Sequence, residues 1–278
     1  MRLGGPVFEK CDTPQQWVDA LKRLGYSAAY FPIGLEQGEE RVHAYANAAS
    51  AADILIAEVG AWSNPLSPDE DTRAAAVAQC ERQLALADLA GARCCVNIAG
   101  SRGEQWDGPH PENLTEATFD LIVETVCGIL DAVKPTRTYY TLETMPWMYP
   151  DSPESYLRLL KAINRERFAV HLDPVNLVCS PQRYFANGDL IRECFAKLGS
   201  HLRSCHGKDI ILRSALTTHL DEIRPGLGGL DYATFLREIE AVGPDTPLML
   251  EHLQKPEDYQ QAAAYVRDVA RQVGVTIK

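Results

Sequence analysis

The sequence lacks any apolar run long enough to cross a lipid bilayer. A membrane-spanning helix needs about 20 consecutive, mostly apolar residues, and polar or charged residues interrupt every hydrophobic stretch of the chain before that length. The first residues, MRLGGPVFEK, place Glu9 where a secretory signal peptide would need its apolar segment. We therefore expect no membrane contact and a cytoplasmic location.

Paired thiol motifs are also absent. None of the 8 cysteines forms a C-x-x-C pair, and Cys94 and Cys95 are adjacent inside an apolar run. A long chain without an export signal more often keeps its thiols free. We expect free cysteines, with Cys94 and Cys95 as small buried residues.

Positive charge is scarce. Lys and Arg number 27 against 38 Asp and Glu, so the formal net charge of the 278 residues is −11. Nucleic-acid phosphates need a basic surface, and this composition therefore disfavours a nucleic-acid partner. Hydrophobic residues make up 46% of the chain, which is enough for a sizeable core.

Short apolar runs rich in β-forming residues alternate with longer amphipathic segments along the whole chain. Thr13-Pro14 is typical of a helix start, and Gly25 and Gly91 follow helix-like segments where a left-handed cap favours glycine. Eight strand–helix units in succession predict a parallel sheet closed into a barrel. We predict a single α/β domain, a (β/α)8 TIM barrel, over residues 1–278. The predicted strands lie near residues 2–4, 26–31, 53–59, 93–99, 138–143, 168–173, 201–206 and 247–251, and the predicted helices near 13–24, 39–51, 69–90, 115–133, 153–163, 187–198, 231–241 and 256–272.

The connections that follow strands are longer than those that follow helices. In barrels of this kind the loops after the strands form the active face. Trp62, Trp106 and Trp147 fall in these loops. Aromatic faces suit the C–H-rich faces of sugars, although the same residues could simply pack the loops together. The long connections span residues 60–68, 100–114, 144–152 and 207–230.

Four residues with metal-ligating side chains stand at the predicted ends of consecutive strands. Glu143 ends the fifth strand, Asp173 the sixth, His206 the seventh and Glu251 the eighth, and we call this set the quartet. Alternate side chains of a strand share a face, so each of the four can project over the barrel mouth. Three carboxylates beside one imidazole would repel unless a cation bound them or protons neutralised them. The ligand set favours one divalent ion, Mn²⁺ first, with Co²⁺, Mg²⁺ and Zn²⁺ as alternatives.

These motifs resemble the xylose-isomerase-like barrel family of sugar isomerases and epimerases, over almost the whole chain. The resemblance implies one divalent metal on the quartet, with Glu143 and Glu251 also serving as the acid–base pair. It further implies that Arg224 contacts substrate. Asn176 departs from the pattern, because epimerases of the family usually have a histidine there. The segments that carry the resemblance are LET (142–144), HLDP (171–174), HGKD (206–209), LEH (250–252) and PGLGG (225–229).

Such a site can perform proton transfer next to a carbonyl. A metal chelated by two adjacent sugar oxygens polarises the carbonyl and stabilises the enediolate that remains when the neighbouring C–H loses its proton. We expect Glu143 or Glu251, with a pKa raised toward neutrality by a dry site, to accept that proton. The other glutamate could return it on the opposite face, which inverts the carbon.

Four other residues are weaker candidates. Asn97 could hydrogen-bond substrate or form a turn. Lys208 could contact substrate or form a salt bridge with a neighbouring carboxylate. His171 precedes Asp173 on the same strand face, and we expect it to be a core histidine one layer deeper. His252 should point away from Glu251 and either support the side chains of the site from behind or be structural.

The leading functional prediction is a metal-dependent isomerase or epimerase acting on a sugar or sugar derivative. The alternative is a lyase acting on an oxidised, keto glycoside with the same metal site. C-glycoside deglycosidases resemble the family in this way, and their barrel works with a smaller partner subunit. A homo-oligomer is equally compatible with the sequence.

An abasic-site endonuclease shares the barrel but needs several histidines at strand ends, where this chain has His206 alone. A non-catalytic carbohydrate-binding barrel is the remaining alternative.

Overall fold

Eight short parallel strands close into a barrel in the computed structural model, which describes residues 1–278. Each strand pairs with its neighbours in chain order, and the last pairs with the first. All eight predicted strands are present, with bounds shifted by a few residues at most, and the predicted fold class is confirmed. The barrel strands are β1 (Arg2–Gly4), β2 (Ala28–Tyr30), β3 (Leu55–Gly60), β4 (Cys94–Asn97), β5 (Tyr140–Glu143), β6 (Phe168–Leu172), β7 (Leu202–Gly207) and β10 (Pro247–Leu250).

Helices surround the barrel, and their ends follow local sequence rules. The Thr13 hydroxyl accepts the backbone N–H of Gln16, whose side chain returns to the backbone of Thr13, and Gly25 ends the same helix at φ +70°. None of the helices is long and apolar enough to span a membrane. The helices are α1 (Pro14–Leu24), α2 (Glu39–Ala51), α3 (Glu70–Ala90), α4 (Glu116–Val133), α5 (Pro153–Ile163), α6 (Pro181–Phe185), α7 (Asn187–Leu198), α8 (Tyr232–Val242) and α9 (Pro256–Val273).

One hydrophobic core lies between the barrel and its helices. Tyr156 of α5 is fully buried there, and its hydroxyl donates to the carbonyl of Leu142 at 2.6 Å and accepts the N–H of His171 at 3.2 Å. This hydroxyl fixes β5 against β6, the two strands that lead to Glu143 and Asp173. All cysteines are free, and the prediction that Cys94 and Cys95 are buried is confirmed. Buried side chains of the core include Trp17, Tyr45, Leu84, Ile129, Leu159 and Phe235.

The long connection after β7 contains an antiparallel hairpin that is absent from the predicted elements. It consists of β8 (Asp209–Arg213) and β9 (His219–Ile223). The Asp209 carboxylate accepts the backbone N–H groups of Gly226 and Gly228 at 2.9 and 3.0 Å. Asp209 therefore anchors the glycine-rich segment that follows the hairpin and holds the hairpin at the rim of the barrel.

Candidate active site

The quartet converges above the carboxyl ends of β5, β6, β7 and β10. His206 Nδ1 lies 3.0 Å from Glu143 Oε1 and 2.8 Å from Glu251 Oε1. One ligand atom from each member of the quartet lies within 4.8 Å of the others, and Asp173 and His206 are fully buried. The structure thus brings together the four residues predicted from the strand ends, with the donor types that suit one divalent ion.

Local hydrogen bonds hold two of these carboxylates in place. Asp173 Oδ1 accepts the N–H of Val175 at 2.9 Å, and Asp173 Oδ2 accepts no hydrogen bond although it is buried. The Thr144 hydroxyl accepts the N–H of Asp173 at 2.9 Å, which ties the end of β5 to the end of β6. Asn176 Nδ2 donates to Glu143 Oε1 at 3.1 Å. The protein itself therefore orients these carboxylates.

Lys208 places its ammonium group among the same carboxylates. Its Nζ lies 2.9 Å from Asp173 Oδ2, 2.8 Å from Glu251 Oε1 and 3.6 Å from Glu143 Oε1, and the side chain is 2% exposed. Neither Asp173 Oδ2 nor Glu251 Oε1 gains a hydrogen bond of normal geometry from it, so these contacts are ion pairs. Of the two roles considered for Lys208, the structure shows the salt bridge. A divalent ion and this ammonium group would contact the same oxygen atoms.

The charges in the cluster shift one another's pKa values. Burial raises the pKa of Asp173 to about 6 despite the nearby Lys208. Burial alone would also raise the pKa values of Glu143 and Glu251, but the positive charges of His206 and Lys208 outweigh it and lower both. The same carboxylates raise the pKa of His206 well above its usual range, against the effect of burial. The expectation of raised pKa values for the two glutamates is therefore wrong, because two cations lie beside them.

A further carboxylate lies one layer deeper in the barrel. Glu58 of β3 is fully buried; its Oε1 lies 3.0 Å from His171 Nε2 and accepts the hydroxyl of Ser204, and its Oε2 lies 3.2 Å from His206 Nε2. Burial alone would raise the pKa of Glu58, but the two imidazoles lower it to about 2, so the group is ionised. His171 is fully buried, as expected of a core histidine.

The quartet opens into a cavity of about 400 Å³, a volume that suits a small ligand. Glu143, Lys208 and Glu251 contribute to its lining, whereas Asp173 and His206 lie beneath it. Loop side chains form the rest of the wall, and its three tryptophans Trp62, Trp106 and Trp147 are 43%, 38% and 40% exposed. The cavity thus combines apolar aromatic side chains in its wall with charged side chains at its bottom.

Another depression, of about 410 Å³, lies at the opposite end of the barrel. Arg2, Asp53 and Asp245 line it, and Arg2 forms ion pairs with both aspartates. Its lining contains no histidine, cysteine or glutamate. The chemistry-bearing side chains are therefore at the carboxyl end of the barrel.

The family model for the xylose isomerase-like TIM barrel matches residues 18–269. The chain belongs to this family. The match covers most of the barrel, so the resemblance inferred from the strand-end motifs is confirmed. No curated protein matches the sequence.

Solved structures show the same barrel in sugar epimerases. D-psicose 3-epimerase from Clostridium cellulolyticum H10 is 14% identical with a TM-score of 0.69, over 99% of this chain and 100% of that one. 3-Keto-D-glucoside 4-epimerase from E. coli is 13% identical with a TM-score of 0.66, over 96% and 99%. A xylose isomerase-like barrel protein from Mycobacterium smegmatis, in complex with magnesium, is 16% identical with a TM-score of 0.66, over 94% and 90%. At these identities the likeness establishes the fold.

In this xylose isomerase-like barrel, two residues predicted to contact substrate lie away from the cavity. Asn97 is fully buried. Its Oδ1 accepts the backbone N–H of Ser63 at 3.2 Å, and its Nδ2 donates to the Ser63 carbonyl at 3.3 Å. Arg224 Nη1 donates to the carbonyl of Pro225 at 3.1 Å, and Arg224 is not part of the cavity lining. The structure brings the other three, Trp62, Trp147 and Lys208, to the cavity wall.

Sequence reasoning missed two acidic residues of this region. Glu58 is the single charged residue between positions 54 and 60. A lone charged residue in an apolar strand indicates a side chain that points into the barrel and contacts other polar groups there. Glu222 lies on the unpredicted β9 and lines the cavity, with Oε2 3.7 Å from Lys208 Nζ. Its Oε2 also lies 3.1 Å from Nδ1 of His252, which lines the cavity as well.

Proposed function

We propose that this chain is a divalent-metal-dependent isomerase or epimerase that removes a proton next to the carbonyl of a sugar or sugar derivative. The observation that carries the proposal is the quartet at the bottom of a cavity with tryptophans in its wall. The epimerases among the structural neighbours and the neighbour that binds magnesium support the same activity and ion class.

The residues of the quartet fit a divalent ion. Their ligand atoms lie within 4.8 Å of one another, and Asp173 Oδ2 and Glu251 Oε1 are buried without hydrogen bonds. Carboxylate oxygens with one imidazole nitrogen suit Mn²⁺ or Mg²⁺, with Co²⁺ and Zn²⁺ as alternatives. Held by Glu143, Asp173, His206 and Glu251, such an ion would act as a Lewis acid on the substrate carbonyl.

Glu143 and Glu251 are the members of the quartet that can exchange a proton with substrate. Both line the cavity, and both carry a lowered pKa, so each is ionised and able to accept a proton at neutral pH. Asp173 and His206 lie beneath the cavity and can serve only as ligands. One glutamate accepts the proton from the substrate carbon and later releases it to solvent, while the other takes up a proton from solvent and delivers it to the opposite face of the carbon.

The cavity wall supplies binding and charge stabilisation. Lys208 lines the cavity beside both glutamates and can donate a hydrogen bond to a substrate oxygen as negative charge develops there. Trp62 and Trp147 offer aromatic faces to the C–H groups of a sugar ring. Asn176, which lies on the cavity wall, keeps Glu143 oriented through its 3.1 Å hydrogen bond.

Solvent exchange tests the proposal. The Mn²⁺-loaded protein is incubated in D2O with ketohexoses, aldohexoses and 3-keto glucosides, and NMR follows deuterium at each carbon. We expect deuterium at the carbon that is inverted or isomerised. Glu143→Gln and Glu251→Gln keep the size of the side chain but remove its basicity, so turnover should fall about 10²–10⁴-fold. Glu222→Gln, in the same cavity but outside the quartet, is the matched control and should lose much less.

Three results would contradict the proposal. Release of a leaving group without an isomerised or inverted sugar would point to the lyase alternative. Turnover without deuterium incorporation, with both glutamine variants active, would exclude proton abstraction by these residues. Failure to act on any of the three sugar classes would exclude the proposed substrates.

A further inference from the structure

Three hydrogen-bond donors converge on the Glu58 carboxylate inside the barrel. Glu58 reaches across from β3 to β6 and β7, where it contacts His171 Nε2 at 3.0 Å, His206 Nε2 at 3.2 Å and the Ser204 hydroxyl. All four side chains are fully buried. Burying a carboxylate inside a barrel costs folding free energy unless its oxygen atoms accept hydrogen bonds.

These residues also have the donor types of a second metal site, since Glu58, His171 and His206 place ligand atoms within 4.8 Å of one another. The use of the acceptor atoms decides against that interpretation, because both Glu58 oxygens accept hydrogen bonds, whereas Asp173 Oδ2 and Glu251 Oε1 of the quartet accept none. Nitrogen–oxygen separations of 3.0 and 3.2 Å are those of direct hydrogen bonds, and Ser204 uses a further acceptor position on Oε1. Both carboxylate oxygens are therefore engaged by the protein.

The orientation of the His206 ring gives its two nitrogens different partners. Nε2 faces Glu58 Oε2 at a hydrogen-bond distance of 3.2 Å, where the carboxylate oxygen is the acceptor. His206 Nε2 therefore carries a hydrogen, and Nδ1 is the nitrogen that can bind a metal once it has released its own proton. That nitrogen is the one that faces Glu143 and Glu251, at 3.0 and 2.8 Å.

We infer that Glu58 is a positioning residue, which holds the tautomer and ring orientation of His206 so that Nδ1 serves as the metal ligand of the quartet. Carboxylates behind metal-binding histidines commonly have this effect. The inference rests on the metal site of the proposed function. It extends that site to a residue of β3, which lies opposite β7 in the ring of strands.

His171 and Ser204 support Glu58 in this position. Both contact Oε1, which leaves Oε2 directed at His206. The His171 ring also packs edge-on against the His206 ring, with centroids 4.1 Å apart at 71°. The hydrogen bond and the packed ring together restrict rotation of the His206 imidazole.

Glu58→Gln tests the inference because glutamine offers one oxygen acceptor where three donors must be satisfied. Mn²⁺ affinity is measured by calorimetry after chelation, and the Co²⁺-loaded protein is compared by visible absorption. We expect the Mn²⁺ Kd to rise about 10- to 100-fold and the Co²⁺ absorption bands to shift. The matched control is Thr141→Val, which removes another fully buried hydrogen bond, 3.1 Å to the Cys95 carbonyl. It should leave both measurements unchanged.

A measurement on the unsubstituted protein covers the case in which Glu58→Gln does not fold. In ¹⁵N NMR of the Zn²⁺-loaded chain, with His206 assigned by comparison with His206→Asn, Nε2 should carry the proton and Nδ1 should be metal-bound. The reverse assignment would overturn the inference, and so would unchanged Mn²⁺ affinity and Co²⁺ absorption in folded Glu58→Gln.

The two proposals fail in distinguishable ways. If the unsubstituted chain binds no ion at the quartet, the proposed function and this inference are both wrong. If it binds the ion and Glu58→Gln behaves like it, only the positioning role is wrong. None of these measurements depends on knowing the sugar.

Discussion

The two ends of the barrel differ in how their buried charges are paired. At the amino end, Arg2 is 6% exposed, and its guanidinium donates to the carboxylates of Asp53 and Asp245 at 2.7 and 2.8 Å. At the carboxyl end, the quartet gathers three carboxylates around one imidazole, with Lys208 as the only ammonium group among them. Buried like charges cost folding free energy unless a cation balances them. The amino end is therefore arranged for stability, and the carboxyl end retains excess negative charge that suits a bound cation.

The largest effect should come from removing a ligand at the carboxyl end. His206→Ala and Asp173→Ala each delete one donor of the quartet, and we expect the Mn²⁺ Kd to rise by more than about 100-fold. Equilibrium dialysis with elemental analysis measures the bound ion. Arg2→Leu, at the other end, is the control and should retain it. Full occupancy in both alanine variants would show that the quartet is not the ion site and would remove the contrast between the two ends.

Much of the contrast could be predicted from the sequence, because the barrel imposes a simple rule. Parallel strands present their carboxyl ends at one rim, so terminal residues such as Glu143 and Asp173 meet there without knowledge of side-chain packing. The strand and helix bounds followed from the alternation of apolar runs and helix-cap residues, as at Thr13 and Gly25. Position along a strand was therefore enough to predict the members of the quartet.

Contacts that cross the barrel or depend on loops could not be predicted in this way. Glu58 meets His171 and Ser204 only because β3 faces β6 and β7 across the interior, which no local pattern encodes. The hairpin that carries Glu222 has exposed, mostly polar residues on β9 and lacks strong alternation. Asn97 stands at a strand end like the quartet, yet the nearby Ser63 backbone binds its amide. Strand-end position therefore predicts where a residue lies, but not which group its side chain contacts.

At the amino end, Arg2→Met should affect the fold and not the ion. The substitution removes ion pairs to Asp53 and Asp245 and a hydrogen bond to the Ser27 carbonyl, and we expect the free energy of unfolding to fall by about 1–3 kcal/mol. Urea unfolding measures this change. Asp245→Asn is the milder control, because the Asp245 side chain is 46% exposed and remains solvated. A loss of Mn²⁺ affinity in Arg2→Met would mean that the two ends are coupled.

Lys208→Met removes a cation from the carboxyl end of the barrel instead of a ligand. The ammonium group lies 2.9 and 2.8 Å from two ligand oxygens, so its removal should make the quartet more attractive to Mn²⁺. We expect the Kd to fall by at least about 10-fold, since a pair of unit charges about 4 Å apart is worth about 1 kcal/mol in water and about 4 kcal/mol in the lower dielectric of a protein. Lys197→Met, which removes a lysine paired with Glu193 on the protein surface, is the control. Weaker Mn²⁺ binding in Lys208→Met would show that Lys208 organises the quartet and does not compete with the ion.

The smallest effect should come from the aromatic wall above the carboxyl end. The Trp147 side chain is 40% exposed, whereas Trp17 in the core is 1% exposed, so truncating Trp147 should disturb the fold little. Its indole N–H donates to the Asp107 carbonyl at 2.8 Å, which joins the loops after β4 and β5. If Trp147 also stacks on a sugar ring, Trp147→Ala should weaken sugar binding by about 1 kcal/mol, or roughly 5-fold.

Tryptophan fluorescence during titration with a ketohexose such as D-fructose separates these two roles of the aromatic wall. A loop-packing residue would change the melting temperature and leave affinity alone, whereas a residue that contacts the sugar would change affinity at nearly constant melting temperature. Trp62 shares the wall, and its ring centroid lies 6.3 Å from that of His206. Trp62→Ala should therefore weaken the same binding. Unchanged sugar affinity in Trp62→Ala, Trp106→Ala and Trp147→Ala would show that the tryptophans do not contribute to binding, which would then depend on the charged residues at the bottom of the cavity.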